Sequence, residues 1–311
     1  MKAIITGGTG LLGGSLVPEL ASAGYEVIVL SRNPEKHRGQ FRGDVRLVAW
    51  DGRSADGWGN LVNGADAIVN LAGENLAGYN FFPARWTDSR KSLIRESRLE
   101  AGEAVVQAVS SASIKPSVVV QISAVGYYGP QGDKEITEAD PPANDFLSRV
   151  AVEWENSTRG VEAMGARHVV LRGAGFFLSK DSGALPRLLL PTRLFAGGPI
   201  GDGNQWYTWI HPKDASRAIR FLIEREDAKG PYNLVSPQPL RSKDFSKAVG
   251  KALRRPSWLP APAFAFKLAF GEVASVVTTG QRVIPARLQE LGFQFDFPEA
   301  VGAIEDVLRD G

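Results

Sequence analysis

Residues 2–32 read KAIITGGTGLLGGSLVPELASAGYEVIVLSR, and this stretch decides the fold. A short apolar run, Ala3 to Thr6, leads directly into a glycine-rich turn. An apolar helical pattern follows, and then a second apolar run, Val27 to Leu30. A strand, a glycine turn, a helix and a strand within about thirty residues are typical of a dinucleotide-binding unit. The alternative, a glycine-rich surface turn, does not explain why both flanking runs are apolar throughout.

The glycine turn is suited to binding a pyrophosphate. Its first glycines let the chain turn sharply and bring backbone amides close to the ligand, and the start of the helix adds positive dipole charge. Gly13 lets the helix pack closely on the strand. The residues predicted to contact the dinucleotide here are Gly7, Gly8, Thr9, Gly10, Leu11, Leu12 and Gly13.

The end of the second strand selects between two dinucleotides. NAD sites place Asp or Glu there to bind the ribose 2′-hydroxyl, whereas an Arg accommodates the 2′-phosphate of NADP. Residues 30–33 read LSRN, and the first acid is Glu35. Arg32 can bind a phosphate with two hydrogen bonds and stack on adenine, and Ser31 can donate one more. NADP(H) is therefore the predicted cofactor, with a solvated turn residue as the alternative interpretation of Arg32.

A later apolar run, which begins at Ala67, ends in the small-residue segment Leu71, Ala72 and Gly73. Small residues at the carboxyl end of a strand allow close approach of a nicotinamide ribose. We therefore predict that this segment forms a wall of the cofactor site, with a simple strand end as the alternative.

The next segment is predicted to be a long helix that Thr87 caps and that reaches about Ala112. Arg98 falls on its apolar stripe, and an unpaired Arg that faces a core is costly. Arg98 should therefore meet either a phosphate or ribose of the cofactor, which we favour, or a carboxylate in a structural ion pair.

After a further apolar strand, Ser117 to Ser123, the sequence resembles the extended short-chain dehydrogenase/reductase superfamily. More narrowly, it is similar to an epimerase-like, NADP-dependent subfamily described as oxidoreductases or, historically, as cell-division inhibitors. The motifs that carry the resemblance follow one another along nearly the whole chain. They are GGTGLLGG at 7–14, LSR at 30–32, NLAGEN at 70–75, SAVGYYG at 123–129, GGPIGDGNQWYTWIHPKDA at 197–215 and GQRVIPARLQELGF at 280–293.

The resemblance implies a Tyr-x-x-x-Lys pair on the next helix, where the Tyr transfers a proton and the Lys lowers its pKa and holds the nicotinamide ribose. Residues 145–155 read DFLSRVAVEWE and contain neither residue type; the expected positions fall near Leu147 and Ala151. Tyr127, with Ser123 as its hydrogen-bond partner, is the predicted replacement for proton transfer. The alternative is that the tyrosines only form the wall of a pocket.

The resemblance also implies that the loop after the predicted strand Arg167 to Arg172 flanks the cofactor. Small residues followed by an aromatic, at residues 173–177, are similar to the loop whose backbone contacts the nicotinamide end of the cofactor in this family. This expectation centres on Phe176.

The predicted fold class is α/β. A doubly wound, parallel Rossmann sheet is expected to bind the dinucleotide, with a smaller, mixed and largely helical substrate domain at the C-terminal side. Residues 1–172 form the predicted nucleotide-binding domain, to which residues 206–235 return, and residues 173–311 form the substrate domain. Its helical tail starts at about residue 256. Ordinary core packing is favoured for this apolar tail; cover over the cleft and a homodimer interface are the alternatives.

Composition excludes several classes of protein. The chain of 311 residues has no Cys and only three scattered His, so disulfides and a protein-held metal are not expected. A net charge of +2 without a basic block gives no reason to expect nucleic acid as a partner. No run approaches the ~18 apolar residues of a membrane span, and the first apolar run is too short for a signal peptide. We therefore expect a cytoplasmic protein whose partner is a small-molecule substrate.

Three functions remain compatible with the sequence. An NADP(H)-dependent oxidoreductase that acts on a small carbonyl or alcohol is favoured, because the pocket-forming glycines and aromatics are retained. The alternative is a non-catalytic NADP(H) sensor, which the missing Tyr/Lys pair favours. A nucleotide-sugar epimerase comes third, because epimerases rely on the absent tyrosine.

Overall fold

In the computed structural model, which describes residues 1–309, the chain forms thirteen strands. Seven of them form one parallel sheet, which contains the apolar runs of the sequence, and the other six form short two-stranded pairs. The strands are β1 Lys2–Thr6, β2 Glu26–Ser31, β3 Val45–Ala49, β4 Ala67–Asn70, β5 Val118–Ala124, β6 Glu135–Ile136, β7 Arg167–Gly173, β8 Phe176–Phe177, β9 Trp206–Tyr207, β10 Trp209–Ile210, β11 Gly230–Leu234, β12 Leu240–Arg241 and β13 Arg282–Val283.

Helices cover the sheet and form most of the C-terminal part. They are α1 Leu11–Ser22, α2 Asp88–Ser111, α3 Phe146–Ser157, α4 Leu185–Arg193, α5 Pro212–Glu224, α6 Ser242–Leu253, α7 Ala263–Phe270, α8 Ser275–Thr278, α9 Ala286–Glu290 and α10 Ala300–Arg309. Within residues 1–309, none of the helices has both the length and the apolar composition that crossing a membrane requires.

The main sheet has seven strands in the order β3-β2-β1-β4-β5-β7-β11, and all of its neighbouring strands run parallel. From β1 the chain first builds outward to β3 and then returns to place β4 on the other side of β1. In open sheets of this kind, ligands bind at the carboxyl ends of the strands where the order reverses. The predicted doubly wound Rossmann fold is confirmed, with its crevice between β1 and β4.

Both faces of the sheet are buried, as the apolar runs on either side of the glycine turn predict. Ile5 and Val29 contribute to one core cluster, whereas Ile4 and Ile28 contribute to another. A third cluster lies in the C-terminal part and includes Phe245 of α6 together with Ile304 of α10. The last helix of the tail thus packs into a core, as expected, whereas α7 has no buried residue and exposes Phe264 and Leu268.

Residues 174–309 do not form a separate sheet of comparable size. β11 pairs with β7 in the main sheet, and α5 packs on α1, where the Ser15 hydroxyl donates to the Pro212 carbonyl at 3.0 Å. In contrast, β9 and β10 pair with the short strands β12 and β8. The exact division of the chain into two domains at residue 173 stays a prediction.

Helix α1 contacts the glycine turn without any intervening side chain. A Cβ atom at Gly13 would lie 2.4 Å from the Cα atom of Gly8, far inside van der Waals contact. One residue further along the same helix, a Cβ atom at Gly14 would meet nothing within 4 Å. The two glycines are adjacent in sequence, but only Gly13 is required by packing.

Gly13→Ala should therefore lower the free energy of unfolding by about 3 kcal/mol. The added methyl group would clash with the backbone of Gly8, which cannot move aside as a flexible side chain can. Gly14→Ala is the matched control and should raise the free energy of unfolding by up to about 1 kcal/mol, the helix preference of Ala over Gly. Urea unfolding followed by circular dichroism measures both. Equal effects of the two substitutions would contradict the close packing of α1 on the turn.

Candidate functional site

A cleft of about 820 Å³ lies at the carboxyl ends of the strands, where the strand order reverses. The glycine turn, the end of β2, the segment after β4 and helix α2 form its walls. The structure brings together at this cleft most of the residues that the sequence singled out. They are Gly7, Thr9, Gly10, Leu11, Leu12, Gly13, Ser31, Arg32, Leu71, Ala72, Gly73 and Arg98.

Two of the residues predicted to contact the cofactor lie elsewhere. Gly8 packs behind the wall, where an added Cβ atom would lie 2.8 Å from the Cγ1 atom of Val29. Phe176 packs against Tyr207, with ring centroids 4.5 Å apart, and lines a separate apolar pocket. Because successive residues of a strand point to opposite sides, the next residue of β8, Phe177, lines the cleft instead. The expectation concerned the backbone near Phe176. The structure places the Phe176 side chain away from the cleft, and a contact between this loop and a cofactor stays a prediction.

The glycine turn fits a pyrophosphate sterically and electrostatically. Gly7 has a φ of +63°, and a Cβ atom there would lie 2.8 Å from the backbone of Leu71. Gly10 precedes the twelve residues of α1, whose first turn contains no acidic side chain. The unpaired N–H groups at the start of a helix attract phosphate, and here they open into the cleft.

At the end of β2, a serine and an arginine line the cleft. Ser31 is buried, and its hydroxyl oxygen accepts a hydrogen bond from the Asn33 amide at 3.2 Å. Arg32 is exposed. Asp51, at the end of the next strand, accepts hydrogen bonds from the Ser54 and Arg53 amides and the Ser54 hydroxyl, which lower its pKa. Its carboxylate therefore caps its own turn.

Arg98 is buried in the wall of the cleft, as its place on the apolar stripe of α2 predicts. Its Nη1 group donates to the carbonyl oxygens of Glu74 at 3.1 Å and Ile94 at 2.7 Å, and its guanidinium lies 4.5 Å from the ring centroid of Trp154. Burial lowers its pKa to about 10, which still leaves it charged at neutral pH. Its hydrogen-bond partners among residues 1–309 are therefore these backbone carbonyls. The structural ion pair with a carboxylate, which was the alternative for Arg98, is not formed within that range.

Trp154 is a cleft residue that the sequence analysis missed. It is only 6% exposed, it lines the cleft from α3, and its indole N–H has no hydrogen-bond partner among residues 1–309. A buried donor without a partner is costly unless a ligand or water satisfies it. No sequence pattern marks Trp154, because its position depends on how α3 packs beside α2.

Glu74 is the second residue that was missed, although it belongs to the NLAGEN motif. Its carboxylate accepts hydrogen bonds from Arg90 at 2.8 Å and from the Tyr79 hydroxyl at 2.9 Å, and all three lie at the cleft or next to it. An acid that directly follows the small residues of the cofactor wall was the available signal. The two hydrogen bonds hold the Glu74 carboxylate in a fixed position at one end of the cleft.

A chain of buried polar side chains links the carboxyl ends of β1 and β4 to the middle of β5. The Thr6 hydroxyl donates to Asn70 at 2.5 Å, and the Asn70 amide donates to Gln121 at 2.8 Å. The Thr6 oxygen also accepts from the amides of Leu71 and Ala72 at 3.1 and 3.2 Å. These bonds fix the position of the wall next to the glycine turn.

The predicted proton-transfer residues, Ser123 and Tyr127, belong to a second polar cluster beyond β5. Ser123 donates to Glu155 at 2.8 Å, and Arg172 binds the same carboxylate through Nε at 2.9 Å and Nη2 at 3.0 Å. The Arg172 guanidinium lies 3.5 Å from the ring centroid of Tyr127. Tyr128, by contrast, donates to Asn233 at 2.6 Å. Neither Ser123 nor Tyr127 is among the residues that line the cleft.

The pKa directions separate the groups of this cluster. Burial raises the pKa of Tyr128 to about 12, which makes its phenol a poor acid at neutral pH. Burial opposes the charge of Arg172, but the hydrogen bonds and charge of Glu155 outweigh it and raise the pKa of the guanidinium. The expected Tyr and Lys positions hold Leu147, which packs against Gly126, and buried Ala151. Within residues 1–309 no group of three or more acidic or His side chains is placed to hold a metal.

The fold and the glycine-lined cleft together define a dinucleotide-binding protein of the extended short-chain dehydrogenase/reductase type. The sequence profile of the NAD dependent epimerase/dehydratase family matches residues 3–235, and that of a domain of unknown function, DUF1731, matches residues 261–307. The chain belongs to the NAD dependent epimerase/dehydratase family, which confirms the resemblance seen in the sequence.

Relatives in other organisms align along the full length. Epimerase family protein SH2119 of Staphylococcus haemolyticus is 37% identical over 306 residues, which cover 98% of each chain. Epimerase family protein YfhF of Bacillus subtilis is 36% identical over 311 residues, which cover 100% of this chain and 99% of YfhF.

Solved structures are also similar to this chain. The crystal structure of human epimerase family protein SDR39U1 with NADPH has a TM-score of 0.89 at 32% identity, with both chains fully covered. UDP-glucose 4-epimerase from Thermus thermophilus with NAD has a TM-score of 0.76 at 18% identity, which shows a shared fold.

The ion pair between Arg172 and Glu155 is almost fully buried, and breaking it should be costly. Glu155→Gln leaves the guanidinium without a counter-charge and is expected to lower the free energy of unfolding by about 3 kcal/mol. Two residues earlier on α3, Glu153 pairs with Arg95, and both side chains are nearly half exposed. Glu153→Gln, the matched control, should change stability by less than about 1 kcal/mol in urea unfolding at neutral pH. A similar loss of unfolding free energy in both variants would show that burial does not make the Arg172–Glu155 pair more important for stability than the exposed pair.

Proposed function

We propose that this protein is an NADP(H)-dependent oxidoreductase that interconverts a carbonyl and an alcohol. The observation that carries the proposal is the pairing of a glycine-lined cleft with Ser31 and Arg32 at the end of β2, where NAD-preferring sites have an acid. Human epimerase family protein SDR39U1, at 32% identity, was crystallised with NADPH, which supports the choice of dinucleotide.

The residues of the cleft fit the parts of NADPH. The N–H groups at the start of α1 would bind the pyrophosphate, and Arg32 with Ser31 would bind the 2′-phosphate. The wall at residues 71–73 would accept the nicotinamide ribose, and the unpartnered Trp154 N–H would donate to a polar group at that end. Arg98 would hold a positive charge there, in a site that its own carbonyl contacts keep rigid.

The chemistry balances in the usual way for carbonyl reduction. NADPH bound in the cleft would supply the hydride that reduces the carbonyl carbon and would become NADP⁺, and a side chain of the protein would supply the proton that completes the alcohol. Of the two tyrosines we assign the proton to Tyr127, because Tyr128 is tied to Asn233 and its pKa is raised to about 12. Tyr127 does not line the cleft, so this step requires its hydroxyl to turn toward the carbonyl when the substrate binds. Ser123 donates to Glu155 and would act on Tyr127 only by positioning Arg172 over its ring.

A second function, NADP(H) sensing without catalysis, is favoured by one specific observation. Helix α3 carries Leu147 and Ala151 where the superfamily has its Tyr and Lys, so the proton-transfer pair is absent while the cleft is retained. The two functions differ in turnover, and they share the prediction of tight NADPH binding.

Arg32→Ala should weaken NADPH binding by about 10- to 100-fold, the loss of charge-assisted hydrogen bonds to one phosphate. NADH lacks this phosphate, so its affinity should change by less than about twofold. Arg38→Ala is the control, since Arg38 pairs with Glu35 outside the cleft. Isothermal titration of each variant with both dinucleotides measures the selectivity. If the ratio of the two affinities does not move in Arg32→Ala, the choice of NADP(H) is wrong.

The oxidoreductase proposal is tested by incubating the protein and NADPH with a panel of ketones and aldehydes. Loss of the absorbance of reduced nicotinamide measures the oxidation of NADPH. Tyr127→Phe should lower kcat by about 100-fold or more and leave NADPH affinity unchanged, since general acid catalysis contributes on that scale. Tight NADPH binding without oxidation of NADPH across the panel would favour the sensor. Turnover that Tyr127→Phe leaves intact would remove Tyr127 from the mechanism.

A further inference from the structure

A second pocket, of about 350 Å³, lies in the C-terminal part of the molecule. The segment after β4, helices α4 and α6 and the tail around α7 form its walls. Its lining is dominated by aliphatic and aromatic side chains, among them Phe82, Leu188, Val249, Phe266 and Phe270. Its volume is within the range of small-molecule sites, about 300–1,000 Å³.

This apolar pocket adjoins the dinucleotide cleft. Leu76 lines both cavities. The short strand β8 separates them, with Phe176 on the pocket side and Phe177 on the cleft side. The segment of residues 74–83 also runs from one cavity to the other, since Glu74 lines the cleft and Phe82 lines the pocket. A molecule in the pocket would therefore end next to the nicotinamide half of a bound dinucleotide.

Two of the larger polar side chains of the pocket, Arg187 and Tyr207, hydrogen-bond to the protein itself. The Arg187 guanidinium donates to the carbonyl oxygens of Phe81 at 2.6 Å, Gly183 at 2.6 Å and Asn80 at 3.0 Å, which fastens α4 to the segment after β4. The Tyr207 hydroxyl donates to a backbone carbonyl at 2.8 Å. A sugar or a diphosphate would lose its water here and gain few hydrogen bonds in return, which is costly.

We propose that this pocket binds the apolar part of the substrate, and that the substrate is a ketone or aldehyde with an alkyl chain or an aromatic group. The proposal rests on the proposed function, because it takes the dinucleotide cleft as the place where the carbonyl reacts. The carbonyl lies at the junction marked by Leu76 and Phe177, and the chain extends between α4 and α7. The substrate class is thus set by burial of apolar surface rather than by recognition of a nucleotide.

Titration of the full chain with 2-nonanone, with acetone and with UDP-glucose tests the pocket directly. The two ketones share the carbonyl and differ in the alkyl chain, and each buried methylene favours binding by about fourfold. We expect 2-nonanone to bind at least about 100-fold more tightly than acetone, by ligand-observed NMR, and UDP-glucose not to compete with it. Equal binding of the two ketones, or displacement of 2-nonanone by UDP-glucose, would overturn the proposal.

Leu188→Trp should fill the pocket and weaken 2-nonanone binding at least tenfold. Leu190→Trp is the matched control on the same helix, since Leu190 is 46% exposed and does not line the pocket. Retention of NADPH binding shows that a variant is folded. If Leu188→Trp does not fold, Ala184→Phe is a second substitution that fills the pocket. Equal weakening by Leu188→Trp and Leu190→Trp would contradict the site.

The results separate this proposal from the proposed function. If 2-nonanone binds in the pocket and NADPH is never oxidised, the pocket assignment holds and the oxidoreductase proposal fails. If small polar carbonyls are reduced and 2-nonanone does not bind, the oxidoreductase proposal holds and the substrate class is wrong.

Discussion

The contact between Gly13 and Gly8 is the constraint on which the site depends. It brings the start of α1 against the backbone of the turn, so that unpaired helix N–H groups open into the crevice between β1 and β4. Gly7 makes a similar approach to Leu71, and the Thr6 hydroxyl holds the amides that follow β4. The glycine turn and the segment after β4, which we propose as the phosphate site and the nicotinamide wall, are therefore in direct contact.

The fold could be predicted, and most of the residues predicted to contact the cofactor line the cleft, because their determinants are local in sequence. The run Ala3 to Thr6 and the glycines after it specify a strand, a turn and a helix without help from the rest of the chain. Ser31 and Arg32 follow a strand whose end must face the crevice, and residues 71–73 follow the neighbouring one. A parallel sheet brings the carboxyl ends of its strands to one edge, so order along the chain was enough to place them.

The remainder depends on packing that no local pattern encodes. Phe176 and Phe177 differ only in which side of β8 they face, and the sequence does not state which side is the cleft. Trp154 reaches the cleft because α3 lies beside α2, and the carbonyl partners of Arg98 come from the backbone, which has no residue signature. Side-chain direction and tertiary neighbours decide these contacts, so they emerge only from the structure.

Helix α3 shows how the chain departs from its superfamily without losing the site. The positions of the expected Tyr and Lys are apolar, yet the next turn of the helix supplies Trp154 to the cleft and Glu155 to Arg172. A buried ion pair contributes little net stability compared with an apolar pair of similar volume, because desolvation offsets the attraction. It does hold the guanidinium in one orientation, 3.5 Å from the ring centroid of Tyr127. Helix α3 thus positions Trp154 at the cleft and, through Glu155, the Arg172 guanidinium over Tyr127. A change in the packing of α3 would therefore alter the lining of the cleft and the surroundings of the proposed acid together.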